Sequence, residues 1–218
     1  MSPRLYLGLV PWIVFAVVGR GSLEGVAWGG AAALGVALLI VAMSSRTHAV
    51  KDLEIFAAVL FAGFTLWGVS DQHNPHGFLQ HYHNGISTAA LALFAVASLA
   101  WQPFTEPYAR ELVQRKYWKT ARFIRANVEL TLMWSVVFGA IAASQTLAGA
   151  IHTRLGSTIF TWVVPIAVVL LGVKEATMRW EDQFDGESMG LDAMLNQVEL
   201  WGDPGGSGPT RRYEPGPL

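Results

Sequence analysis

Four of the chain's six histidines, His73, His76, His81 and His83, fall within SDQHNPHGFLQHYHNG, residues 70–85. Neutral imidazole is the commonest transition-metal ligand. His73-x2-His76 can converge in a turn, and His81-x-His83 in a bent strand. Asp71 offers a further, hard ligand. Asn74-Pro75 and Asn84-Gly85 are turn signals that would fold such a loop back on itself. His152 is a fifth candidate if its segment lies on the same side. The alternative reading is a polar loop using His as an interfacial aromatic or hydrogen-bonding group. Haem would need His within helical spans, and every His here falls at a span end or in a loop.

What must position this stretch is almost wholly apolar. The 218 residues are 52% hydrophobic and 14% charged, with nine Trp and no Cys, against about 25% charged in a soluble domain. The missing cysteines exclude disulfides, thiolate metal sites and thiol nucleophiles. A net charge of −1 gives no global attraction to nucleic acid. No nucleophile–base arrangement, phosphate loop or carboxylate pair stands out, so no catalytic residues are expected. No resident cofactor is expected either, a metal ion at the histidines excepted.

Six apolar runs are read as spans: 5–19, 25–43, 55–69, 86–101, 128–149 and 157–173. A tilted bilayer helix needs about 17–25 residues, and polar or aromatic flanks can extend the shorter runs. The expected fold is an all-α polytopic bundle over residues 1–175 with both termini cytoplasmic. The first run is kept as a span because no small-x-small cleavage site follows it. With the N-terminus inside, only Arg20 and Arg154 of the fifteen Lys and Arg face outward, as the positive-inside rule requires. Trp28, Trp67 and Trp162 then mark one headgroup level, and Trp101, Trp118 and Trp180 the other. The His-rich stretch and His152 share the outer side.

Gly25, Gly29, Ala33 and Ala37 recur every four residues in the second span. This small-xxx-small face lets backbones approach, within the chain or in a homo-oligomer. Span four is likewise rich in alanine. Ionisable residues are absent from span centres; Asp52, Glu54 and Glu129 lie at span ends. Glu129 is expected near a helix N-terminus, stabilised by backbone N–H groups and by Arg122 or Arg125. Residues 104–126 alternate aromatics with cations, among them Arg115, Lys116, Trp118, Lys119, Arg122 and Arg125. Phe104, Tyr108 and Leu112 share one helical face. An amphipathic helix on anionic headgroups is expected, with lipid as partner rather than nucleic acid. Residues 176–201 read as an acidic amphipathic segment and 202–218 as a disordered Gly/Pro tail.

The stretches GLVPWIVFAVV, SSRTHAVKDLEIF and ARFIRANVELTLMWSVVFGAIA resemble the bacterial intracellular septation protein A family and its actinobacterial relatives. The match falls on Asn127, Glu129, Leu130, Thr131, Trp134 and Phe138 and extends over about residues 5–175. The His-rich stretch and acidic tail depart from the family pattern. The resemblance implies a bacterial inner-membrane protein tied to envelope integrity or division, a scaffold or accessory subunit among other membrane proteins, with no catalytic residues to carry over. The alternatives are a small-solute or ion transporter, for which Pro11 and Pro165 are candidate helix breaks, and a metal-binding membrane protein.

Overall fold

A computed structural model describes residues 3–19, 24–47, 50–71, 78–151 and 153–178. The described residues are helical with no strand. Helices α1 (Pro3–Val18), α2 (Gly25–Thr47), α3 (Asp52–Asp71) and α4 (Phe78–Ser98) are followed by a short α5 (Glu106–Ala109) and a 3-10 turn (Arg115–Tyr117). Then come α6 (Ala121–Ala150) and α7, which spans residues 154–178 and contains a π-helical turn at Ile159–Val163. Four segments are long and apolar enough to cross a bilayer: Gly25–Arg46, Asp52–Ser70, Ala121–Ala150 and Leu155–Met178. That is the character of an integral membrane protein. Leu5–Val18 is apolar but shorter.

Every long helix outruns its apolar run. A drop in hydropathy marks where lipid gives way to water, whereas a helix ends where its backbone groups find other partners. At α3 the Glu54 carboxylate reaches back to the Lys51 N–H at 3.4 Å, half of a capping box. At α6 the Thr120 hydroxyl accepts from Phe123 N–H at 3.3 Å, and at α7 Thr153 accepts from Gly156 N–H at 3.3 Å. The early cap on α6 alters the reading of Glu129. It stands two turns inside the helix, not at its N-terminus, and is held by Arg125 at 2.8 Å.

Successive long helices run antiparallel, and glycines set the closest approaches. A Cβ on Gly29 would lie 2.8 Å from the Gly19 backbone in α1's last turn, and one on Gly30 2.8 Å from the Thr65 nitrogen in α3. In the second half, a Cβ on Gly85 would meet Thr146, and one on Gly149 the carbonyl of His81, each at 2.5 Å. Thus α2 lies between α1 and α3, and α6 between α4 and α7. Gly25, Gly29, Ala33 and Ala37 are all buried, so this face of α2 is spent on packing within the chain.

The two three-helix sets meet along an aromatic seam. The Trp12 indole donates to the Ser87 carbonyl at 3.2 Å. Phe15 packs edge-on to His83, and Phe56 stacks on Phe94 with centroids 4.3 Å apart. The bundle therefore has a basic end, where α3 and α6 start, and a histidine end, where α4 starts.

Candidate functional site

The His-rich stretch is helix over much of its length. Asp71 ends α3 and Phe78 starts α4, so ten of the sixteen residues expected as loop are helical. His81 and His83 lie on α4, not on a bent strand. Two residues on a helix are turned by about 200° from one another. His81 is exposed, while His83 is buried against Phe15 and the Gly19 turn. This pair does not converge on one ion. His73, His76 and His152 lie outside the described residues, as does the Asp71 side chain. Among the described residues, no three His, Cys, Asp or Glu gather as metal ligands.

At the basic end, residues 103–126 form no single surface helix. Phe104 and Tyr108 are 3% and 2% exposed, whereas Leu112 is 50% exposed, so the three do not share one buried face. The segment turns into the bundle. Tyr108 reaches toward Gly8 of α1, whose Cβ position lies 3.0 Å from its hydroxyl. The Lys51 ammonium sits 4.0 Å from the centre of the Tyr108 ring and 2.7 Å from the Glu111 carboxylate. Glu54, also buried, accepts the Ser44 hydroxyl at 2.9 Å. The Tyr108 hydroxyl has no hydrogen-bond partner among the described residues. Burial, and then the negative charges of Glu54, Glu111 and Asp52, push its pKa well above the usual phenol range.

Beside this plug, the Thr105 hydroxyl lies 2.9 Å from the Thr131 hydroxyl and donates to the Asn127 carbonyl at 3.1 Å. The Asn127 amide donates to Phe123 O at 2.8 Å. Asn127, Thr131, Trp134 and Phe138 are all buried, with Trp134 and Phe138 in ring contact. This face of α6 is structural core. Arg115, Lys116, Lys119, Arg122 and Arg125 are exposed. Trp118 is half-buried; its indole donates to Val113 O at 2.9 Å, and Arg110 lies over its ring.

A pocket of about 320 Å³ opens between α1, α4, α6 and α7. Its apolar wall includes Leu9, Ile13, Ile141, Ile166 and Leu170. Asn84, Ser87, Thr88, Gln145, Thr161 and Trp162 supply polar groups toward the histidine end. Among the described residues, no Asp, Glu, Lys, Arg or His lines it.

The π-turn of α7 forms part of this wall. Val164 N–H bonds to Ile159 O rather than Phe160 O, and Pro165 has no N–H to offer. The Phe160 carbonyl is left over, and the Ser144 hydroxyl takes it at 2.7 Å. Such turns relieve a proline inside a helix and recur at functional sites. Pro165 signalled an irregularity in the sequence; the pocket's lining, drawn from four distant segments, did not. Pro11, in contrast, sits inside a continuous α1.

The chain matches no protein-family model, no curated protein and no solved structure.

Proposed function

We propose that the chain is a six-span protein of a bacterial cytoplasmic membrane, with both termini inside, acting as a non-enzymatic scaffold or accessory subunit in envelope integrity or division. The observation that carries a non-conducting, non-catalytic role is the plugged basic end. Phe104, Tyr108 and Phe123 fill it, and the buried Lys51, Glu54 and Glu106 are each engaged by a neighbour. Among the described residues, closure there leaves no polar route along the bundle axis, and a buried charge that is already paired is poorly suited to proton or ion exchange. The exposed cations from Arg115 to Arg125 suit anionic headgroups of the inner leaflet. The likeness to the septation protein A family supports the envelope role.

Because the chain has no cysteine, single replacements report sidedness cleanly. In intact cells a membrane-impermeant maleimide should label Ser70→Cys, and should label Lys119→Cys only after lysis. The opposite pattern overturns the orientation. Depleting the protein in its native cell should alter septum placement or envelope resistance to detergent. Unchanged cells, or ion flux through liposomes carrying the pure protein, would sink the scaffold role.

A second reading, carriage of a small apolar solute, draws on the π-turn beside the pocket. It predicts pocket opening coupled to movement of α7 about Pro165, visible as ligand-dependent deuterium exchange at residues 159–165.

A further inference from the structure

The pocket's shape and chemistry point beyond packing. Tyr6 and Ala16, which both line it, are ten residues apart on α1, about 15 Å of helical rise. That is about half the thickness of a bilayer's hydrocarbon core, the reach of one leaflet's chains. Ile13, Ile166 and Leu170 line the pocket and are also strongly exposed on the bundle surface, so its mouth faces sideways into lipid. The plug closes the basic end and plays no part in access.

The polar groups have unmet capacity. Asn84 Oδ1 is buried and has no hydrogen-bond partner among the described residues, and a buried acceptor is costly to leave unsatisfied. Gln145 Oε1 accepts from Thr88 at 2.8 Å, so the Nε2 side is the half of its amide that this bond does not use. Asn84 and Gln145 thus bring uncharged amide acceptors and donors above an apolar slot. With no cation among the described lining residues, this lining offers a phosphate nothing to neutralise it.

We infer that this pocket binds a neutral acylglycerol, a diacylglycerol from the leaflet at the histidine end. One chain lies along Ile13, Ile141 and Ile166; the ester carbonyl accepts from Gln145 and the free hydroxyl donates to Asn84. Leaving bilayer for pocket gains a chain no hydrophobic free energy, because lipid tails are as apolar as the lining. Selectivity therefore rests on the two amides. This inference relies on the membrane-spanning reading above.

The test uses the full chain in phosphatidylcholine nanodiscs doped with a diacylglycerol bearing a terminal diazirine on one chain. A parallel sample carries the same diazirine chain on phosphatidylcholine. After illumination, labelled peptides are mapped by mass spectrometry. Leu38 and Leu39, exposed on α2, provide the internal reference for bulk lipid contact. The diacylglycerol probe should label the peptides holding Leu9–Ala16 and Ile166–Leu170 several-fold above that reference, and the phosphatidylcholine probe should not. Asn84→Leu with Gln145→Leu should lower the excess about tenfold, the loss of about 1.4 kcal/mol. Ala16→Phe, which fills the slot, should abolish the excess. Melting of each variant is checked so that unfolding is not mistaken for lost binding. Equal labelling by both probes, or an excess that survives Ala16→Phe in a folded protein, overturns the proposal. Labelling of Leu38 and Leu39 without any pocket excess would refute the lipid site yet leave the membrane reading intact. No labelling at Leu38 and Leu39 would refute both.

Discussion

Glu111→Gln is expected to loosen the basic end more than its partner mutation, Lys51→Met. The two side chains are 6% and 17% exposed for Lys51 and Glu111, with 2.7 Å between nitrogen and oxygen. Taking one member from a buried pair costs about 3–5 kcal/mol, since the other charge is stranded. The stranding is unequal here. Without Glu111, the Lys51 ammonium keeps the Tyr108 ring face as its partner among the described residues, and it has little access to water. A cation over an aromatic face recovers no more than about 2 kcal/mol. Without Lys51, Glu111, the more exposed of the two, still keeps another contact. The expected losses are about 3 kcal/mol for Glu111→Gln and about 1–2 kcal/mol for Lys51→Met. The double variant Lys51→Met/Glu111→Gln removes both charges and should fall within about 1 kcal/mol of the native protein, leaving a coupling of at least about 3 kcal/mol. Reversible unfolding in mixed micelles, followed by tryptophan fluorescence, measures all four corners of the cycle. Trypsin cleavage after Arg110 and Arg115 should quicken in the same order as stability falls. Equal losses for the two single variants, or a double variant as unstable as their sum, would refute the reasoning.

Three further expectations use the same assay. Tyr108 keeps its proton in the fold above its ordinary value of 10.0, while the unfolded chain releases it; stability is therefore full below about pH 10 and falls as pH rises past it. Tyr108→Phe should remove that alkaline loss and leave neutral-pH stability equal or higher, because the hydroxyl has no hydrogen-bond partner among the described residues; a loss above about 1 kcal/mol at pH 7 would show that the hydroxyl is bonded. Ser144→Ala strips the Phe160 carbonyl of its donor, so a loss of about 1–3 kcal/mol is expected, with faster deuterium exchange in residues 159–165; an unchanged melting point would mean the π-turn needs no support from α6. Gly68→Ala places a Cβ 2.6 Å from the Ala27 nitrogen and should cost about 1–3 kcal/mol, whereas Gly35→Ala, with nothing within 4 Å, should be neutral or mildly stabilising; similar effects for both would refute the close α2–α3 approach.

The helical class and the approximate places of the long helices were legible because about twenty apolar residues in a row have few other uses. The boundaries were not. The polar run before Ile86 reads as loop by composition, yet α4 begins at Phe78 and carries His81 and His83 with it. Likewise Arg122 and Arg125 are polar enough to suggest a surface segment, but Thr120 caps a helix that already contains them. Composition reports what surrounds a helix, not where its hydrogen bonding stops. The small-residue stripe from Gly25 to Ala37 was readable as a packing face; its counterparts Gly68, Gly85 and Gly149 were not, because a lone glycine signals close approach only once its neighbour is known. The plug at Phe104 and Tyr108 was misjudged for a related reason. Aromatics spaced by four fit a membrane-surface helix, and only the tertiary fold turns two of them inward while leaving Leu112 out.

The two ends of the bundle are stabilised by different physics, and that difference decides where a ligand can enter. Within lipid, helices gain little from burying apolar surface, so the contacts of α2 with α3 and of α4 with α6 rest on glycine-mediated closeness and dispersion. At the basic end water is near, and Phe104, Tyr108 and Phe123 gain the full hydrophobic benefit of burial. That end closes firmly. The α7 helix has neither advantage. Its surface is largely exposed, with Leu155, Val163, Leu170 and Leu171 facing outward, and Ser144 ties it to α6 at the Phe160 carbonyl. The weakest wall of the pocket is therefore the wall that contains the proline and the wide turn. A chain-bearing molecule meets least resistance by parting α7 from α1, sideways from the bilayer, with the polar amides of Asn84 and Gln145 setting how deep it settles.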